Sequence, residues 1–250
     1  MKIVVCVKRV PDTTTAIRVG ADGKSIDESG VQWVMNPYDE YALEEALRIK
    51  EKSGPGEVVL LALGTADTQA ILRNGMAMGA DRSILLKTDA KNWDPWSIAS
   101  ALAEQIKPLG ADLVLFGKQA VDGDFGQVGS IVAGILGLPV ASVVVKLEIN
   151  GKDVVATREI EGGLEHVAMS LPAVASLQKL PYEPRFASLK GIMAAKKKPI
   201  EEKAAPAPSP KLEIVKIENP PQRPAGRIVG KGTEAVPELV RLLRDEAKVL

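Results

Sequence analysis

"DLVLFGKQAVDGDFGQVGS", Asp112 to Ser130, is the stretch whose reading decides the fold. Its opening run, DLVLF (112–116), is apolar nearly throughout, the mark of a strand buried on both faces. Gly117–Ser130 then packs four glycines and two aspartates into fourteen residues and leads into IVAGILG (131–137), a small-residue helical pattern. Glycine costs about 0.5–1 kcal/mol relative to alanine inside a regular element. A run of it at a strand end therefore signals a sharp turn or a close approach to the backbone. DGDFGQVGS (122–130) offers successive backbone N–H groups and then a helix start, a combination that suits a phosphate. A tight strand-to-helix connection with packed glycines would account for the same residues.

Upstream, KIVVCV (2–7), EVVLLAL (57–63) and RSILLK (82–87) are further apolar, β-branched runs. Between them NPYDEYALEEALRIKEKSG (36–54) has Ala42, Leu43, Ala46, Leu47 and Ile49 at amphipathic helical spacing. Asn36 is a good N-cap, Pro37 suits the first helical position, Asp39 and Glu40 match the positive helix end, and Gly54 stops the helix. DTQAILRNGMAMG (67–79) and DPWSIASALAEQI (94–106) give two more helices. Strand and helix in alternation imply a parallel sheet with right-handed crossovers. Gly117–Ser130 then lies beyond the carboxyl end of a strand, where open α/β sheets bind ligands. The first strand runs into VKRVPD (7–12) without G-x-G-x-x-G, and Gln119 follows Gly117-Lys118 where a P-loop needs Ser or Thr.

After Pro139 the pattern changes. VASVVVKLEINGKDVVATREI (140–160) reads as two strands joined at Asn150-Gly151, a strong hairpin signal, and HVAMSLPAVASL (166–177) adds further strand with Pro172 marking a break or an edge. KPIEEKAAPAPSPKLEI (198–214) reads as an extended linker. A short strand-like KLEIVKIE (211–218), a PPQRPAG turn segment (220–226) and a last helix near EAVPELVRLLRDEAK (234–248) follow. So thin a local core predicts a tail that reaches across to another chain. The expected units are an α/β nucleotide-binding domain over 1–185, a partner-recognition loop and basic segment over 186–200, and a linker with a C-terminal arm over 201–250.

Composition narrows the function. The 250 residues balance 32 Lys plus Arg against 32 Asp plus Glu, which gives no electrostatic reason to expect nucleic acid. One cysteine, Cys6, excludes an intrachain disulfide, and no spacing suits a metal or iron–sulfur site. A single histidine, His166, argues against Ser-His-Asp or Cys-His catalysis. MKIVVCVKRV (1–10) enters a strand at once, with no leader pattern, and no apolar stretch approaches the roughly 20 residues of a membrane span. A cytoplasmic protein without catalytic residues of its own is the expectation. Read alone, VMNPYDE (34–40) is a helix N-cap and Cys6 a small core residue.

Together VKRVPD, NPYDEYALEEALRIKE, MAMGADR (76–82), GKQAVDGDFGQVG, REIEGGLE (158–165), LPAVASL (171–177), PRFASLKGIMAAKKKPI (184–200) and PPQRPAG resemble, in this order, the beta subunit of electron transfer flavoprotein. The resemblance spans residues 1 to about 245. It implies an α/β fold of the adenine nucleotide alpha hydrolase-like kind, an added β-hairpin region, and an extended arm packed on an alpha subunit that holds the redox FAD. It implies AMP in this subunit, contacted by Cys6, by Asn36, Pro37, Tyr38 and Asp39, and by the strand end Leu63, Gly64 and Thr65. The phosphate loop it implies is Gly117, Lys118, Gln119, Ala120, Val121, Asp122, Gly123, Asp124, Phe125, Gly126, Gln127 and Val128.

The same resemblance implies docking of an acyl-CoA or related dehydrogenase, as in fatty acid beta-oxidation, through Leu189 with Ile192 and Met193. It implies that Glu159 meets the alpha subunit near its flavin, and that electrons pass on to a quinone oxidoreductase. Mitochondrial members carry cysteine where this chain has Asp39 and a flavin-reaching tyrosine where it has Thr13. Gly123 and Gly126 lower the bulk of the loop and leave room for a diphosphate. A bifurcating type, with a second FAD that oxidises NADH in this subunit, is therefore one alternative. A stand-alone adenine-nucleotide sensor, read from GQVGS (126–130), is another.

Overall fold

The computed structural model describes residues 1–222 and 225–250, so the middle of the PPQRPAG segment lies outside the described residues. β1 (Lys2–Cys6) opens the chain, and β2 (Arg9–Pro11) and β3 (Trp33–Met35) pair antiparallel as a small separate ribbon. Then follow α1 (Pro37–Ser53), β4 (Glu57–Gly64), α2 (Gln69–Met78), β5 (Arg82–Lys87), α3 (Pro95–Ile106), β6 (Leu113–Gly117) and α4 (Val128–Leu136). The second half supplies β7 (Val140–Asn150), β8 (Asp153–Ile160), β9 (Gly163–Ser170), β10 (Ala173–Leu177), α5 (Leu189–Lys197), β11 (Ile200–Ala204) and α6 (Val236–Asp245).

One nine-stranded sheet runs β11-β5-β4-β1-β6-β10-β7-β8-β9 among the described residues. Every pairing from β11 to β7 is parallel, and β7, β8 and β9 pair antiparallel. Helices cover both faces. α1 and α2 bury Leu43, Leu47, Ile71 and Leu72 on the face of Ile3 and Val5, and α3 and α4 bury Leu102, Ile106 and Val132 on the face of Val4 and Cys6. Two covered faces explain why β1 reads as an unbroken apolar run rather than an alternation. α1 and α2 carry the chain outward through β4 and β5. α3 then returns it across the opposite face to β6, so connections diverge on either side of β1. That reversal opens a crevice at the carboxyl ends of β1 and β6.

Asp94 caps α3, accepting the Ser97 N–H at 2.8 Å. Gly151, at φ 61, turns the hairpin between β7 and β8, and Pro172 falls in the break between β9 and β10. The hairpin strands extend the main sheet rather than forming a unit of their own.

Three readings differ. The linker-like IEEKA (200–204) is an edge strand, because its backbone completes the open side of β5 while its charged side chains face outward and pair with Arg82 and Lys87. KLEIVKIE forms no strand. Its backbone N–H groups at Lys211, Leu212 and Ile217 go instead to Asp94 and to the Gly23 carbonyl. The expected recognition loop is largely the helix α5, capped by Ser188.

Candidate functional site

A cavity of about 340 Å³ opens in the crevice. Its floor is the carboxyl ends of three parallel strands: Cys6 and Val7 at the end of β1, Leu63, Gly64 and Thr65 at the end of β4, Phe116 and Gly117 at the end of β6. One wall is the glycine-rich loop with the first residues of α4, and the other is Trp93, Pro95, Ile98 and Leu102 from the start of α3. All the nucleotide-site residues named from the sequence line this cavity except Asn36, Pro37, Tyr38 and Val121. Gly129, within the stretch read as suiting a phosphate, lines it too, and so do Val7, Lys8, Thr88, Ala90, Trp93, Pro95, Ile98, Leu102 and Phe116, which sequence reasoning did not assign to a ligand.

Asn36 and Asp39 hold the loop from beneath. Asn36 sits at the N-cap position of α1 yet makes no capping hydrogen bond. Its amide instead donates to Asp39 Oδ1 and to the Gln119 carbonyl, both at 2.9 Å, and its own Oδ1 accepts the Val121 N–H at 3.1 Å. Asp39 Oδ2 accepts the Lys8 N–H at 2.8 Å and Oδ1 accepts the Gly117 N–H at 3.1 Å. Both side chains are buried. Burial pushes the Asp39 carboxyl up to about 7, against the hydrogen bonds from Asn36, Lys8 and Gly117 that hold it down. Pro37 fills the first turn of α1, and Tyr38 packs under Gly117 with the Lys118 ammonium 5.1 Å from its ring centre.

The glycines divide into two kinds. A Cβ on Gly117 would stand 2.4 Å from Asp39 Oδ1 and 2.6 Å from Tyr38 Cβ, so the close approach is to the chain's own α1. Gly126 has φ 61, and a Cβ there would meet only the Lys118 carbonyl, at an ordinary 3.5 Å, so it serves the turn. Asp124, at φ 52, closes the same turn, donating its N–H to the Ala120 carbonyl at 2.9 Å.

Charge at the mouth is mixed. Lys8 Nζ pairs with Asp122 at 2.6 Å, and Gln119 donates to Asp124 at 2.7 Å. The first turn of α4 faces the cavity through Val128 and Gly129; N–H groups there lack intrahelical partners and carry the positive end of the helix. Together with Lys8 and Lys118 they make an anion-accepting end, while Leu63, Trp93, Ile98, Leu102 and Phe116 make an apolar one. Cys6 is a neutral wall residue: burial first, and the Asp39 charge second, push its thiol up. His166 lies on the outer strands, 3.0 Å from the Thr157 hydroxyl.

The remaining named residues lie elsewhere. Glu159 is exposed on β8 and accepts from Gln178, just past the carboxyl end of β10. Leu189 (84% exposed), Met193 (61%) and Ile192 (39%) project from α5, with Phe186 (96%) just before it. The segment that carries them is tied to α1 and α2. Arg185 pairs with Glu44 at 2.8 Å and Glu51 at 2.6 Å on α1, and Arg73 of α2 donates to the Ala195 and Lys198 carbonyls at 2.7 Å.

Fold and cavity together define an α/β protein with a ligand crevice at a topological switch point. A family model described as "Electron transfer flavoprotein domain" matches residues 24–208. The chain is 41% identical over 254 residues to the electron transfer flavoprotein subunit beta of Bradyrhizobium diazoefficiens, and 40% over 260 residues to that of Bacillus subtilis; both alignments cover all of each chain. It is 38% identical over 257 residues to the Homo sapiens subunit beta, covering 100% of this chain and 99% of that one. The chain belongs to the electron transfer flavoprotein beta-subunit family. Among the described residues no helix is long and apolar enough to cross a membrane.

Proposed function

We propose that this chain is the AMP-holding subunit of a heterodimeric electron carrier in the cytoplasm. The cavity at the strand ends carries the reading. Its anion-accepting end, built from the loop backbone, the start of α4, Lys8 and Lys118, fits a phosphate, and its apolar end fits a purine. At about 340 Å³ it lies near the lower end of the roughly 300–1,000 Å³ of ligand pockets, which favours a mononucleotide over a second FAD.

The redox chemistry belongs to an FAD held mainly by an alpha subunit, which takes electrons from acyl-CoA or related dehydrogenases and yields them to a quinone oxidoreductase. This chain's residues bind and position. Leu189, with Ile192 and Met193 beside it, gives a dehydrogenase an exposed apolar anchor on a segment tied to α1 and α2, the kind of small hot spot that releases quickly. Glu159 meets the alpha subunit. The long arm, apolar at Leu212, Ile214, Val215 and Ile228 yet exposed, supports a subunit over a stand-alone sensor.

Gel filtration of the chain with and without an alpha subunit, followed by dehydrogenase-driven flavin reduction, tests the proposal. A flavin-containing heterodimer reduced by the dehydrogenase is expected. A soluble homodimer indifferent to the alpha subunit would overturn it.

A further inference from the structure

Asp94 is buried, and its two oxygens serve different parts of the molecule. Oδ1 accepts the Ser97 N–H at 2.8 Å and caps α3, whose Pro95, Ile98 and Leu102 wall the cavity together with the preceding Trp93. Oδ2 accepts two N–H groups of the C-terminal arm, Lys211 at 2.6 Å and Leu212 at 3.1 Å. Ser97 Oγ, on the first turn of the same helix, accepts the Ser209 N–H at 3.0 Å. Farther along, the arm is held by the Ile217 N–H on the Gly23 carbonyl at 2.8 Å and by an exposed Lys24–Glu213 pair at 3.4 Å. Exposed pairs contribute little, so the first turn of α3 is the arm's principal polar anchor in this stretch. The hydrogen bonds from Ser97, Lys211 and Leu212 outweigh burial and hold the Asp94 carboxyl below its usual range, so it is charged at neutral pH.

We infer that Asp94 is a positioning residue shared by the cavity and the arm: a nucleotide against the α3 wall fixes its first turn, and the fixed turn seats residues 209–212. The inference rests on the reading of the cavity as an adenine-nucleotide site. Coupling of this kind is reciprocal, so whatever factor a seated arm adds to nucleotide affinity, the nucleotide adds to arm seating.

The test uses the full chain, AMP as the probe, calorimetry, and amide hydrogen exchange. Asp94→Asn keeps an oxygen for the Ser97 N–H but turns an NH₂ toward the arm's two donors. Exchange at 209–212 should speed up about tenfold, the worth of roughly one hydrogen bond, while exchange within α3 stays as it was. AMP affinity should fall at least about fivefold, the lower end of ordinary coupling. Saturating AMP should slow exchange at 209–212 in the wild type and not in the variant. Should Asp94→Asn fail to fold, Ser97→Ala removes the Ser209 contact and the hydroxyl's own contact with Asp94, spares the N–H cap and the two arm donors on Asp94, and should give smaller shifts in the same directions. Wild-type protein that binds AMP with no change at 209–212 overturns the coupling. Wild-type protein that binds no AMP overturns the nucleotide reading, and the coupling falls with it.

Discussion

Asp39 Oδ1 accepts the Gly117 N–H at 3.1 Å while its Oδ2 accepts the Lys8 N–H at 2.8 Å, so one carboxylate on α1 joins the ends of β1 and β6. These strands flank the crevice, and their ends would otherwise present unpaired backbone donors at its base. Asn36, bonded to the same carboxylate, passes the restraint on to Gln119 and Val121 of the loop.

Asp39→Ala should therefore destabilise the protein by about 3 kcal/mol, since it strands several buried donors at once. Chemical denaturation measures this, and a loss below about 0.5 kcal/mol would remove Asp39 from the role.

The same carboxyl predicts a pH dependence. Its folded value, about 7, lies above the ordinary carboxylate value of 3.8, so between these the folded state holds a proton that the unfolded chain has released. Its contribution to stability is complete below about 4 and declines as pH rises through 7. Subtracting the profile of Asp39→Asn from that of the wild type should isolate this decline, and a flat difference between pH 4 and 8 would contradict it.

Gly117→Ala and Gly126→Ala should differ. The first places a methyl against Asp39 and Tyr38 and should cost on the order of 3 kcal/mol by overpacking. The second pays only for a left-handed backbone, about 1–2 kcal/mol. Thermal unfolding of both variants gives the order, and equal losses would refute the distinction.

Asn36→Ala should leave α1 intact, because Asn36 makes no capping bond. It should loosen residues 119–121 and weaken AMP binding about tenfold, the worth of roughly one hydrogen bond. Calorimetry reads the affinity and circular dichroism the helix.

Leu189→Ala should slow reduction by the donor dehydrogenase while leaving flavin content unchanged and stability within about 0.5 kcal/mol, as for other exposed sites. Gly191→Ala should slow it too, for another reason: its Cβ would fall 2.2 Å from the Ala77 carbonyl and push α5 off α2. Stopped-flow reduction kinetics separate the variants from wild type, and unaltered rates for Leu189→Ala would take it out of docking.

Much of the fold was legible because local and tertiary signals agree. The buried strands read as unbroken apolar runs, Asp94-Pro95 marks a helix start, and Asn150-Gly151 marks a hairpin turn. β11 was not legible, since an edge strand needs little apolar character and Ile200–Ala204 is charged and followed by prolines. In the site, the glycine-rich loop declared itself through its place after a strand. Asn36 did not, because Asn before Pro is what an ordinary N-cap looks like, and besides Asp39 its partners lie at least 83 residues away at Gln119 and Val121. Trp93 lies just before α3, and Ile98 and Leu102 lie within it, where nothing in the sequence sets them apart from core residues. Only the crossing of α3 over the sheet brings them to the crevice.

The most direct measurement releases and counts the nucleotides of the purified heterodimer. The account predicts one FAD and one AMP, with the AMP lost or weakened in Asn36→Ala. Two FAD and no AMP would contradict it and make the glycine-rich loop the seat of a second flavin.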